Sequence, residues 1–600
     1  MDVRPLRRAA PLASTLLLLL AAPSGAATVT ATSPASPAGT ASTAVPSSSA
    51  ALPAGPVSPL SAPDPSAGAV RPAAARRISA REAQRIAVRV PEIARVRREN
   101  PGSTTTAKLK DGHWVVDVNR RTKPGEAVEG IGQVYVDPVS GVVTESWTGF
   151  QVAWTMARGY PGAFGRTVNS PWIWVTLCVL FVAPFVDVRR PLCWLHADLL
   201  ALVGFSVSLL FFNAANLGLS VPLTLPLLAY LLARLLWIGL GRGTRPSEPL
   251  RLNVPWPWLG AATLFLIGFR LGLNVVDGNV IDVGYSGVIG ADKLSHGRSL
   301  WGSFPSDNGH GDTYGPLLYL AYAPFELIWP WRGHWDDLAA AHAAAAVFDL
   351  ACIGLLFLIG RRIAGTALGV VLAYCWVTFP FTIYATNSGT NDALPAALVL
   401  AALLVHARPM RRGALIAAAG LTKFAALALL PLFATHYPTP PTPPGVRARR
   451  VMRYLAGAAL VGAVGAAVVL VTADPATFWE RTISYQAGRD APFSVWGFYG
   501  GGWKVAQHAV QAGAVLLAVL LPFARRRQDV VGLAALAGAL LVAFQAATTY
   551  WFYLYLVWVA PLALIAFLGR LAVAPQVSRA AAPAAATARS SPPVLAPSSG

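Results

Sequence analysis

The apolar residues of this chain come in blocks of about 20, the length a helix needs to cross the hydrocarbon core of a bilayer, and short runs of arginine separate the blocks. A soluble fold is excluded by that pattern, because a helix with one face in water carries a polar stripe along its whole length. Of the 600 residues, 54% are hydrophobic and only 13% charged, too few charges to cover so many apolar faces. The fold class expected is therefore an all-α polytopic membrane protein. A formal charge of +20 would elsewhere suggest nucleic acid. Here the arginines sit in clusters between apolar blocks and form no basic stripe interleaved with aromatics. Cys178, Cys193, Cys352 and Cys375 all lie in or beside apolar blocks, so neither a disulfide framework nor a CxxC metal pair is available.

Arg4, Arg7 and Arg8, the run Leu16 to Leu20 and the small residues through Ala27 have the order of a secretory signal, expected over 1–27. Residues 28–77 are almost entirely Ala, Pro, Ser, Thr, Gly and Val and read as a disordered tether. A small exported α+β domain is expected over 78–150. It opens with a helix in which Ser79 and Glu82 have capping-box spacing. The runs His113 to Val118 and Gln133 to Asp137 alternate like half-buried strands, and Asp137 to Gly141 is turn chemistry before a strand from Val142 to Glu145. Through Ile78 to Ala83 and Tyr135 to Thr144 this unit resembles a PepSY domain, a module found outside the membrane.

The remaining blocks order themselves by the rule that arginine clusters stay in the cytoplasm. With the N-terminal domain outside, Trp172 to Val186 enters toward Arg189 and Arg190, Leu199 to Phe212 leaves, Leu223 to Leu240 enters toward Arg242 and Leu259 to Leu273 leaves. Ala339 to Ile359 enters toward Arg361 and Arg362, Ala367 to Ile383 leaves, and Ala393 to Val405 enters toward Arg408, Arg411 and Arg412. Met452 to Val471 leaves after Arg447, Arg449 and Arg450, and Val505 to Phe523 enters toward Arg525 to Arg527. Val531 to Ala546 leaves, and Trp551 to Leu568 ends inside at Arg570. Tyr314 to Trp329 breaks this order if inserted and is expected along the outer interface. Leu415 to Phe433, with Gly420, Lys423 and Pro431 inside and basic clusters at both ends, is expected to be a hairpin of two short helices, since a lysine at membrane depth needs a cavity or a partner. The sum is about eleven spans plus the hairpin over 170–570, with 571–600 as a disordered cytoplasmic tail.

The external connection after Leu273 holds Asp277, Asp282, Tyr285, Asp292, His296, Arg298, Trp301, Asp307, His310, Asp312 and Tyr314 within about 40 residues, far longer than a structural connection requires. Its pattern resembles the GT-C superfamily of membrane glycosyltransferases, above all the polyprenyl-phosphate-mannose-dependent mannosyltransferases of glycosyltransferase family 87. The parts that carry the resemblance are Asp282, Tyr285, the run Gly297 to Trp301 and Tyr314 to Pro316. Thr386 to Asp392 at an outer helix end, Gly420 to Lys423 in the hairpin, and Ser484 to Ser494 in a late external loop add to it. The similarity covers about Trp256 to Leu568.

The resemblance implies a hexosyltransferase whose donor is a sugar, mannose by family weight, on a polyprenyl phosphate, with an extracytoplasmic glycolipid, glycan or protein as acceptor. Asp282 is then the candidate base that removes the acceptor proton, with Asp277 as its rival. Arg270, Arg298, Lys423 and Arg489 are candidates to face the donor phosphate, with Tyr285, Tyr314 and Gln486 also at the donor. Each has a plainer reading. Either Asp suits a helix cap, Arg270 suits snorkelling to the interface, Lys423 suits a helix end, and Arg489 suits an ion pair with Asp490. His342 and Asp349, seven residues apart on one span, suit a proton relay or a satisfied buried pair. Asp307, His310 and Asp312 suit a divalent metal or simple turn formation, and no cofactor is expected. A P-loop or GxGxxG is absent from the sequence. Two other classes remain open: a transporter or lipid flippase, and a non-catalytic envelope sensor whose working part is the exported unit.

Overall fold

A computed structural model describes residues 77–110, 112–120, 130–159, 165–241, 250–437, 443–489 and 491–571. The expected signal, nearly all of the tether and all but the first residue of the tail lie outside these residues, as does Asp490.

The N-terminal unit is a four-stranded antiparallel sheet under two helices. In α1 (Ala80–Ala87) the Ser79 hydroxyl accepts from the Glu82 N–H at 3.3 Å, which satisfies one of the donors a helix start leaves open. A second helix, α2 (Pro91–Glu99), starts on Pro91, whose missing N–H is no loss there. The strands β1 (Thr104–Lys110), β2 (His113–Asn119), β3 (Gly130–Val136) and β4 (Val143–Thr148) lie in the order β1-β2-β3-β4. Val116, Val118, Val134 and Val136 point to one face and pack with Ala83, Ala87 and Ile93. On the other face Asp117, Gln133 and Trp147 form one row across three strands. The sequence reading lacked α2 and β1. The latter, Thr-Thr-Thr-Ala-Lys-Leu-Lys, is an exposed edge strand with little apolar alternation to reveal it.

Beyond it the described residues are helical, and seven helices are long and apolar enough to cross a membrane. They include α4 (Trp194–Asn213), α5 (Leu217–Gly239), α6 (Trp256–Val276) and α13 (Pro444–Thr472), with α3 (Pro171–Val182) a shorter apolar helix before them. One of the seven, α9 (Ala339–Thr378), is two of the expected spans in a single run. Its backbone breaks at Ala364 and Gly365, where Gly365 takes φ +83°, and Gly360 and Gly369 then lie backbone to backbone. Other expected spans are short. Pro380 ends α9 and opens α10 (Pro380–Asn387), and α11 (Ala393–Leu404) runs for only 12 residues. Among the described residues seven helices thus have crossing length, one of them holding two of the expected spans.

The stretch expected along the interface forms α8 (Pro316–Ile328), packed against α7 (Asp282–Ser295). Leu415 to Phe433 falls within α12 (Pro409–Thr422), a break at Lys423 and two short helical turns up to Ala434. Late in the chain come α14 (Lys504–Leu520), α15 (Val530–Ala547), which is almost wholly enclosed by its neighbours, and α16 (Leu556–Leu568). Arginine-bearing ends meet one another: Arg526 donates to the Thr435 carbonyl at 2.9 Å, and the Arg527 N–H to the Gly239 carbonyl at 3.1 Å.

Candidate functional site

Asp282 is the first residue of α7, and that helix is fixed by close backbone packing. A Cβ on Gly284 would stand 2.0 Å from the Gly389 carbonyl oxygen, one on Gly287 would be 2.6 Å from the Tyr322 ring, and one on Gly290 would be 2.0 Å from the Tyr319 ring. Three glycines therefore let α7 approach both α8 and the turn that follows α10. That turn also holds the backbone on either side of Asp282. The Ile281 N–H donates to the Ser388 carbonyl at 3.1 Å, and the Asn391 amide donates to the Val283 carbonyl at 3.0 Å. The Asp282 carbonyl accepts from Ser286 Oγ at 2.6 Å and Asn308 Nδ2 at 3.1 Å. With its backbone held from three segments, the carboxylate has little freedom to drift.

The carboxylate opens into a cleft of ≈ 520 Å³, part of it continuous with solvent, whose lining includes Asp307, His310, Tyr314, Trp335, Tyr485 and Arg489. A second, smaller space of ≈ 190 Å³, between Phe212, Ser220, Thr224 and Tyr553, carries no acid or base apart from that phenol. Asp282 is exposed to the cleft, yet protein surrounds it, and this desolvation holds its carboxyl above the usual carboxylate range. Arg489 opposes that rise more than any other group, followed by the Val283 N–H and Lys423.

Arg489 differs from Arg234, Arg270 and Lys423, which are closed in buried ion pairs. No described residue hydrogen-bonds or ion-pairs with it, and its Nε is buried without a partner. Aromatic rings hold it instead, with Tyr550 3.7 Å, Tyr485 5.8 Å and Trp154 5.9 Å from the guanidinium carbon. Its Nε is left without a partner among the described residues, and the side chain lines the cleft. Tyr314 lines the same cleft, and Gln486 reaches its wall by donating to Thr313 Oγ1 at 2.6 Å. Tyr285 backs two residues of the lining, Asp307 and Trp335. Its hydroxyl donates to Asp307 at 3.1 Å, and its ring packs 4.8 Å from Trp335.

The other candidates are engaged elsewhere. Arg270, 1% exposed, makes a two-pronged pair with Asp349 at 3.0 and 2.5 Å and donates to Thr382, Thr386 and the Val377 carbonyl. The Trp376 indole completes Asp349 at 2.8 Å. Arg270 neither snorkels nor lines the cleft, and Asp349 pairs with it rather than with His342. Asp277 accepts the Thr167 N–H at 2.9 Å and does not line the cleft. Arg298 is 59% exposed and pairs with Asp292 at 3.6 Å, beyond the far end of α7, about 20 Å from its start. Lys423 forms a buried ion pair with Asp392, which also accepts from the Trp558 indole at 2.9 Å. That pair stands behind the cleft and acts on Asp282 through space.

The residues weighed as metal ligands have separate partners. Asp312 binds Arg481 through two hydrogen bonds of 2.8 Å, Asp307 binds Tyr285, and the His310 ring stacks on Tyr485 at 4.5 Å. Among the described residues no three His, Cys, Asp or Glu side chains converge as a metal site would need. Sequence reasoning passed over Tyr550, Trp335 and Trp154, and took in Tyr485 only as part of the run Ser484 to Ser494. Their only signal was an excess of aromatics near loop ends, which membrane anchoring explains equally well.

Comparison of the chain with family models, with curated proteins and with solved structures yields no match in any of the three. The cleft itself must carry the functional reading.

Proposed function

We propose that the chain is an integral membrane glycosyltransferase that moves a hexose, mannose first, from a polyprenyl phosphate to an acceptor hydroxyl on the extracytoplasmic side. The observation that carries this reading is that Asp282 and Arg489, neither of them ion-paired with a described residue, line one cleft. An acceptor oxygen attacks the anomeric carbon and gives its proton to Asp282, while the bond from that carbon to the phosphate oxygen breaks. The departing polyprenyl phosphate gains negative charge, and Arg489 is the cation placed to offset it. A single displacement of this kind inverts the anomeric centre.

The electrostatics support the same division of labour. A base whose pKa lies above the ordinary carboxylate range holds a transferred proton better than a fully solvated one. A cation held by aromatic faces keeps its donors free, whereas Arg270, Lys423 and Arg481 have given theirs to carboxylates. His310, Tyr485 and Trp335 offer flat faces of the kind that sugar rings pack on.

Transfer by the purified full chain in proteoliposomes tests the reading, with radiolabelled mannosyl, glucosyl and galactosyl polyprenyl phosphates as donors and an envelope lipid and glycan extract as acceptor. Label should pass to the acceptor with release of polyprenyl phosphate. No turnover of any of the three donors would overturn the reading.

A further inference from the structure

The N-terminal unit is joined to the membrane helices by a strap, residues 150–158, which does more than connect. The strap leaves β4 in a helical turn from Phe150 to Ala153 and a tighter one from Thr155 to Arg158. Trp154 lies between them. Its ring packs edge-on to Phe493 at 5.2 Å, meets Tyr550 at 6.0 Å and stands 5.9 Å from the Arg489 guanidinium. Phe150, at the start of the strap, meets Phe498 at 6.1 Å. A residue from before the first membrane helix thus forms part of the aromatic enclosure of a cleft residue more than 300 positions later.

The other end of the strap is tied back to the sheet. Arg158 donates to Gln133 Oε1 at 2.6 Å and to the Tyr135 hydroxyl at 3.3 Å, and lies 5.6 Å over the Trp147 ring. It also donates to the Gln151 carbonyl at 2.8 Å, which closes the strap on itself. Gln133 is in turn held by Asp117, through a hydrogen bond of 2.6 Å. The Gln151 amide fastens the strap to the Ala215 carbonyl beyond the end of α4 at 3.3 Å. A continuous set of contacts therefore runs from the open face of the sheet through Arg158 and Trp154 to Tyr550 and Arg489.

Arg489 has no ion pair of its own among the described residues, so its position depends on these rings. A cation without a carboxylate partner is kept in place only by its packing, and here one wall of that packing belongs to the strap.

We propose that Trp154 is a positioning residue for Arg489, and that the N-terminal unit, through Arg158 and the strap, sets how well the cleft holds a phosphate-bearing donor. This rests on the reading of Arg489 as the group that faces the donor phosphate. The N-terminal unit is then a working part of the site, and a ligand on its open sheet face would be felt at the donor.

The test uses the full chain in nanodiscs with three variants, Trp154→Ala, Trp154→Phe and Arg158→Ala, each measured in two ways. In steady-state transfer, Trp154→Ala should raise KM for the hexosyl polyprenyl phosphate about tenfold, the size of a lost desolvated cation–π contact, with KM for the acceptor unchanged. Trp154→Phe should restore most of that loss, and Arg158→Ala should shift donor KM in the same direction. In hydrogen exchange, Trp154→Ala and Arg158→Ala should each raise exchange over residues 485–489 and 491–499 and leave α6 and α15 as in the wild type.

Unchanged donor KM, or equal rises for donor and acceptor, overturns the positioning role. Faster exchange only in the strap overturns the coupling. If the wild type transfers no hexose, the glycosyltransferase reading fails, while exchange over 485–499 still decides whether strap and cleft are coupled.

Discussion

Asp282 and Arg489, contributed by distant parts of the chain, line the same cleft, and Arg489 is the group that most opposes the rise in the Asp282 carboxyl. Neither residue is paired with another charged side chain among those described. Two opposite charges left unpaired in one cleft differ from the closed pairs elsewhere in the bundle, such as Arg234 with Asp198 at 2.8 Å. That contrast is why the proposed chemistry is assigned to this cleft.

The first consequence concerns pH. A carboxylate base works only when ionised, so transfer should fall as pH drops through the Asp282 value. Arg489 lowers that value, and removing its charge leaves desolvation opposed only by the weaker effects of the Val283 N–H and Lys423. In Arg489→Gln the acid limb of the kcat/KM profile should therefore move to higher pH, alongside a large loss of rate. An unmoved limb, or one moved to lower pH, would detach Arg489 from Asp282.

Stability of Asp282→Asn gives a second check. The folded-state pKa of Asp282 is raised, so the fold favours its protonated form, and that contribution is lost as pH rises through the folded value. At neutral pH the ionised carboxylate costs stability, and a neutral amide removes the cost. Thermal unfolding in detergent should show Asp282→Asn at least as stable as wild type at pH 7 to 8. A marked fall in Tm would mean that the carboxylate holds the fold together.

Backbone packing places Asp282, so a methyl group in the wrong place should displace it. Gly284→Ala puts a carbon 2.0 Å from the Gly389 carbonyl oxygen, which cannot swing aside as a flexible side chain would. Overpacking of this kind costs about 1–3 kcal/mol. A lower Tm with a disproportionate loss of transfer is expected, whereas Gly272→Ala, where nothing stands within 4 Å, should change neither.

How far the site was legible in the sequence follows from how local each signal was. Asp282 and Tyr285 share a helix, and a long polar loop between apolar blocks marks them without any tertiary knowledge. Arg489 stood out as a charge in a late external loop, within the run Ser484 to Ser494. What the sequence did not show was which charges were already taken. Arg270 and Asp349 lie 79 residues apart and Lys423 and Asp392 lie 31 apart, and only packing reveals that each pair is closed. Trp154 was hidden for the same reason, since its partners Phe493 and Tyr550 come from the far end of the chain. The spans were legible as apolar blocks, but α10, α11 and α16 run for only 8, 12 and 13 residues, and seven of the described helices are of crossing length, fewer than the blocks suggested.

The closed pairs make a prediction of their own. Lys423→Met should strand the Asp392 carboxylate in a buried setting at a cost of about 3–5 kcal/mol, while Lys423→Met with Asp392→Asn should recover much of it. Arg298→Ala removes an exposed, screened pair and should cost about 0.5 kcal/mol or less. Thermal unfolding of the three variants checks the order, and equal losses in all three would contradict it.

The most direct measurement is transfer of labelled hexose from polyprenyl phosphate by Asp282→Asn in proteoliposomes, with protein level and Tm matched to wild type. Loss of a base of this kind should lower turnover at least 100-fold, with donor binding retained. Turnover within a few-fold of wild type would contradict Asp282 as the base and, with it, the central claim.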